Sequence, residues 1–179
     1  MKKFICLFLS ISTIAYSLAY AALGGFIGNN GALSKIGLKH PVLFAIWGIL
    51  TYLTLTYHII LGFKATKYKF HFLMLAIAFI GMTLTLACDF DYKLKTQYML
   101  HCIGSLSFSS VMGATVFFMF FLKKDRLFAA ISGTILLIDL ILLLIFKETA
   151  LIELAPIFAG CIMMTVHNLK KEKIAVEIK

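Results

Sequence analysis

The stretch "LACDFDYKLKTQYMLHCIGSLSF", residues 86–108, gathers Cys88, Asp89, Asp91, His101 and Cys102 between two apolar runs. Carboxylate and imidazole donors of this kind can hold zinc and activate a water, with Glu153 as a further acid on the same side. The competing reading is a solvated loop joining two helices. No His-x-x-x-His or His-Glu-x-x-His pair occurs anywhere, so spacing assigns no metal, no cofactor and no catalytic residue. Cys88 and Cys102 fall at the outer ends of consecutive antiparallel helices. A disulfide could close that hairpin if the Cβ vectors agree and the compartment is oxidising. Cys6 and Cys161 read as buried apolar thiols.

Two further acids stand within apolar sequence. Asp139, in "TILLIDLILLLIF", falls near mid-bilayer, where an ionised carboxylate costs at least ~2.5 kcal/mol. It must therefore face other helices, carry a proton, or pair with a hydroxyl or histidine. Intramembrane carboxylates are functional suspects by default, and the alternative is a structural hydrogen bond between helices. Glu153 lies one turn inside a span, within reach of interfacial water. Ser105 follows His101 by one helical turn and shares its face. The candidate ligand-binding set is thus Asp89, Asp91, His101, Ser105, Asp139 and Glu153.

The elements that position these residues are apolar helices. The chain has 179 residues, 61% hydrophobic and only 14% charged, with a mean hydropathy of +0.98. So few charges cannot solvate a compact surface, which makes this an all-α, polytopic membrane protein. Apolar runs long enough for a ~30 Å hydrocarbon core occur at about 4–27, 41–63, 70–88, 98–122, 127–146 and 149–167. They predict a bundle of six transmembrane helices, with Lys147 and Glu148 at a tight hairpin between the last two. The net charge of +9 is dispersed in short runs between the spans, which argues against nucleic acid.

Basic residues alternate between the two sides. One side has Lys2, Lys3, Lys64, Lys67, Lys69, Lys123, Lys124, Arg126, Lys170, Lys171, Lys173 and Lys179, and the other only Lys35, Lys39, Lys93, Lys95 and Lys147. The positive-inside rule then puts both termini in the cytoplasm. The opening "MKKFICLFLSISTIAYSLAYAALGG" has signal-peptide features, but its apolar run is long, and it reads as a retained first helix. Residues 168–179 form a charged cytoplasmic tail, either frayed or extending the last helix. Tyr20, Tyr68, Tyr92 and Tyr98 suit the membrane interfaces, while Trp47 reads as packing.

Small residues recur at helical spacing as Ser105, Ser109 and Gly113, and as Gly24 and Gly28, a pattern that permits close helix approach. Thr51, Thr54 and His58 form a weaker polar row. Walker loops, dinucleotide fingerprints and Gly-x-Ser-x-Gly elbows are absent from the sequence.

Two stretches carry a resemblance. "LHCIGSLSF", residues 100–108, is similar to the Leu-His-x-x-Gly-x-x-x-Phe pattern that opens the fourth span of the damage-regulated autophagy modulator family and its six-span relatives. "LSKIGLKHPVLF", residues 33–44, resembles that family's Ser-x-x-Gly-x-x-x-Pro-x-x-x-Phe pattern. The matching residues are Ser34, Gly37, Pro41, Phe44, His101, Gly104 and Phe108. Small bacterial six-span families share similar patterns. The resemblance implies a six-helix bundle acting in lipid distribution, trafficking or complex assembly, with no catalytic centre. "CDFDYK" is more acidic than that pattern.

The leading functional expectation is a non-enzymatic protein that binds membrane lipids, a membrane-protein partner or a second copy of itself. The alternatives are a metal-dependent hydrolase using the outer Asp/His group and a small proton-linked transporter using Asp139.

Overall fold

The computed structural model describes residues 2–26, 32–64, 66–146 and 149–177, with side chains described as far as residue 169 except at 143, 144 and 146. Among the described residues there are seven helices and no strand: α1 Lys2–Ala22, α2 Leu33–Lys39, α3 Pro41–Phe63, α4 His71–Ala87, α5 Lys95–Leu122, α6 Arg126–Phe146 and α7 Ala150–Glu177. The protein is all-α. Among the described residues four helices, α1, α3, α5 and α7, are long and apolar enough to cross a membrane, against the six expected. α4 is apolar but has only 17 residues, about 25 Å at 1.5 Å per residue, because turns claim both of its flanks. α6 has 21 residues, some with side chains outside the described set.

Local chemistry accounts for several boundaries. Pro41 occupies the first turn of α3, where its missing N–H breaks no helical bond. α4 ends as Cys88 turns to an extended conformation, φ −109° and ψ 135°. Lys124 takes φ 58° in the turn between α5 and α6, the left-handed step that often follows a helix. α2 was not expected: residues 33–39 read as loop, yet they form a two-turn helix with Leu33, Ser34, Ile36 and Gly37 buried. α7 continues to Glu177, so the backbone of the tail extends the last helix.

α3, α5 and α7 run in one direction, and α1 runs in the other, as α4 and α6 must to link them. Ser10, near the start of α1, meets His58 near the end of α3 and Thr165 in the second half of α7. At the opposite end, Tyr20, Leu33, Glu153 and His101 come together. The alternation read from lysines is therefore an alternation of the two ends of the bundle. Packing is tight inside the bundle toward both ends, where Phe63, Phe120, Leu33, Ile59, Met119 and Met164 are almost wholly buried.

The closest helix approach is not where the small-residue stripe placed it. A Cβ on Gly104 would lie 2.7 Å from the Gly81 carbonyl oxygen and 2.8 Å from Thr85 N. Backbone thus meets backbone between α4 and α5. Gly113 abuts the side chain of Leu136, while Ser105 and Ser109 stay half-buried beside a cavity. Successive residues differ by about 100° around a helix, so the face through Gly104 and Phe108 takes the neighbour, and the next face is left open. Gly28, Lys147, Glu148 and Lys179 lie outside the described residues, as do the side chains of Lys170, Lys171 and Lys173.

Candidate functional site

At the end of the bundle that carries α2, His101 is 1% exposed and both ring nitrogens are engaged. Its Nδ1–H donates to the Cys88 carbonyl at 2.9 Å, and the Thr85 carbonyl is a further acceptor. These are among the final carbonyls of α4, which the helix itself cannot satisfy. A carbonyl only accepts, so the neutral ring carries its proton on Nδ1 and accepts on Nε2. There the Ser34 hydroxyl donates at 2.8 Å. Phe44 stacks on the His101 ring with centroids 6.1 Å apart, and a Cβ on Gly37 would touch the Phe44 ring at 2.9 Å. The two stretches that carry the family-like patterns therefore meet in space.

α2 is fastened from three sides. Glu153 Oε2 accepts the Leu33 N–H at 2.8 Å, the Tyr20 hydroxyl donates to the Leu33 carbonyl at 2.9 Å, and Ser34 reaches His101. Tyr20 and Trp47 also have structural tasks. Tyr20 is 2% exposed rather than interfacial, and the Trp47 indole donates to Ser17 Oγ at 3.1 Å.

The two loop carboxylates do not bond into this knot, although Asp89 acts on the His101 ring through its charge. Asp89 is exposed, its backbone N–H donating to Gln97 Oε1 at 3.4 Å. Asp91 Oδ1 accepts the Lys93 N–H at 3.0 Å, a local turn contact, and borders an outer pocket with Lys35, Lys39, His40 and Tyr92. Among the described residues no group of three metal-ligating side chains converges. The imagined Asp89–Asp91–His101 centre is not assembled, since both imidazole nitrogens are already taken. All four cysteines are free thiols in this structure, Cys88 and Cys102 of the expected bridge among them. His101 points toward Cys88, and Cys102, one residue on, is turned about 100° away from it.

A second knot lies at the opposite end of the bundle. Asn168 Nδ2 donates to His58 Nδ1 at 3.1 Å, leaving the ring proton on Nε2, which donates to Ser10 Oγ at 2.9 Å. Ser10 in turn donates to Thr165 Oγ1 at 2.8 Å. His58 is 0% exposed. Higher up, Thr13 pairs with Thr54 at 2.7 Å. The buried residues Ser10, Thr13, Ser17 and Tyr20 form one polar face of α1 at three-to-four spacing. That spacing is visible in the first span, yet the sequence reading passed over it. Of the polar row on α3, Thr54 and His58 bond, and Thr51 Oγ1 is buried with no partner among the described residues.

Between these knots lie two neighbouring pockets, or lobes, that share part of their lining. One, of about 60 Å³, is bounded by α3, α5, α6 and α7 and lined largely by apolar side chains including Met112, Val116, Leu136 and Met163. The other, of about 40 Å³, reaches Ser34, Trp47 and Ser105. Ser109, Asp139, Glu153 and Pro156 border both lobes. Asp139 is 7% exposed, and among the described residues its carboxylate has no hydrogen-bond or ion-pair partner. The interior group is therefore Asp139, Glu153 and Ser105, with Ser34 linking it to His101, while Asp89 and Asp91 stay outside. Pro156 cannot donate to the Ile152 carbonyl one turn earlier, and such a break is tolerated within a bundle where it borders a cavity. Comparisons with protein-family models, curated proteins and solved structures found no match.

Proposed function

We propose that this chain is a six-span integral membrane protein that binds a lipid or lipid-like molecule and acts in membrane organisation. In this reading α4 and α6 complete the set of spans begun by α1, α3, α5 and α7. Both termini are cytoplasmic, as the lysine alternation favours. The supporting observation is the two-lobed cavity: a polar floor with two acids joined to an apolar lobe. Ser109, Gly113, Ile135 and Leu136 in its lining are only half-buried, so the cavity opens at the side of the bundle. A polar head and an apolar chain have places there in the order an amphiphile presents them. The resemblance to the damage-regulated autophagy modulator family points the same way.

The test is native mass spectrometry of protein released from membranes, comparing wild type with Ser109→Phe, which fills the junction of the lobes. Wild type should carry a bound lipid, and the variant should lose it at an unchanged melting temperature. A bound lipid indifferent to this substitution would defeat the proposal. A transporter centred on Asp139 is a second reading, favoured by the same buried carboxylate. Proteoliposomes holding Asp139→Asn should then lose an uptake activity that wild type shows.

A further inference from the structure

We propose that the cavity is a site for a protonated amine, the head of an amphiphilic lipid, with Asp139 as its counter-ion. The inference rests on the lipid-binding reading and adds the chemistry of the head.

Asp139 carries the argument. It is 93% buried, the complement of its 7% exposure, it borders both lobes, and no side chain among the described residues answers it. Natural proteins pair buried charges, because a lone ionised group in a low-dielectric interior is expensive. A ligand can supply the missing partner. The rest of the lining defines its sign. Glu153 is a second acid, engaged with the Leu33 N–H, and among the described residues no lysine, arginine or histidine lines either lobe. The unmatched charge of the site is negative, so the ligand brings a positive one.

Geometry and donor count narrow the class. An ammonium has three N–H donors. Beside Asp139, the hydroxyls of Ser105 and Ser109 have no partner among the described residues and offer acceptor positions. Trp47 and Phe108 add aromatic surface to the lining, which favours a cation over a neutral head. A divalent metal is a poorer fit, because it wants six or more oxygen ligands in the case of calcium, or near-octahedral geometry in that of magnesium. Size agrees: about 60 Å³ and 40 Å³ hold a head group and a few methylenes, and the rest of the chain leaves through the half-exposed side between α5 and α6. A fully enclosed ligand would need more room.

Trp47 is the only tryptophan and lines the polar lobe, so its fluorescence reports occupancy. Protein in phosphatidylcholine nanodiscs is titrated with dodecylamine, dodecan-1-ol, ethylamine and sodium chloride. Dodecylamine should give a saturable Trp47 change with an affinity at least tenfold above that of dodecan-1-ol, and Asp139→Asn should erase the difference. Ser109→Phe should abolish the response to both. Ethylamine matching dodecylamine would keep the ammonium chemistry and move the source to a water-soluble amine. Equal binding of amine and alcohol, blocked by Ser109→Phe, would overturn the ammonium proposal and leave lipid binding standing. Sodium alone producing the Trp47 change would overturn it in favour of a metal ion. No response to any probe would overturn it too, while lipid retention in mass spectrometry judges the underlying reading separately.

Discussion

The knot around His58 and the cavity around Asp139 are made of similar side chains at similar burial, and they have opposite hydrogen-bond states. At His58 a continuous relay runs from Asn168 through the ring to Ser10 and Thr165, tying α1, α3 and α7 together. At Asp139 the helices leave an empty space and an acid with no answer among the described residues. Polar groups that satisfy one another hold helices together. A polar group left unsatisfied where water or a ligand can reach it is available for binding. His101 is intermediate: it is as well bonded as His58, but its partner Ser34 faces the cavity.

That contrast can be broken in a definite order. His58→Ala should be the most damaging, removing about 3 kcal/mol by combining a lost ring with orphaned polar partners in a sealed site. Thermal unfolding followed with a thiol-reactive dye measures it, because Cys6 and Cys161 are buried in the native state. His58→Gln should recover part of the loss by restoring a donor and an acceptor. A His58→Ala protein as stable as wild type would end the claim that this knot is structural.

Gly104→Ala comes next, at about 2 kcal/mol, in the range for overpacking, since its Cβ would press on backbone atoms of α4. Cysteine crosslinking between α4 and α5 should weaken in parallel. His101→Ala should cost somewhat less, about 1–2 kcal/mol, because water in the adjoining lobe can replace the ring at Ser34. A His101→Ala loss exceeding that of His58→Ala would reverse the ordering and remove the reason given for it.

Asp139→Leu should change stability least, within about 1 kcal/mol of wild type and in the favourable direction, as apolar replacement of a buried charge often is. The same variant should lose the ligand. A large destabilisation would mean that Asp139 is a structural bond after all, and it would sharpen the comparison by moving this carboxylate into the class of His58.

Much of the frame was legible before the fold was known. Apolar run lengths located the long helices to within a few residues, and lysine alternation sorted their ends, because hydrocarbon permits little else. The exceptions are instructive. α2 escaped notice because seven residues show no helical period that a loop cannot imitate, and it exists through Glu153, Tyr20 and His101, which lie far away in sequence. The small-residue stripe pointed to the right helix and the wrong face, Gly104 rather than Ser105 taking the close contact.

The candidate site divided in the same manner. Asp139 could be singled out from sequence because a carboxylate among leucines conflicts with its surroundings wherever the chain goes. The grouping around His101 could not be trusted. Asp89 stays near enough to act on the ring through its charge, yet neither Asp89 nor Asp91 bonds to it, because both ring nitrogens are taken by Cys88 and Ser34. Glu153 and Ser105 line the same pocket as Asp139 from other helices.

Sequence by itself determined the apolar, helical character of the segments, since that follows from transfer energies summed along one segment. Only the tertiary structure decided which polar groups meet. That depends on the rotation of each helix about its own axis, where one residue is worth about 100° and a neighbour in sequence can face the other way.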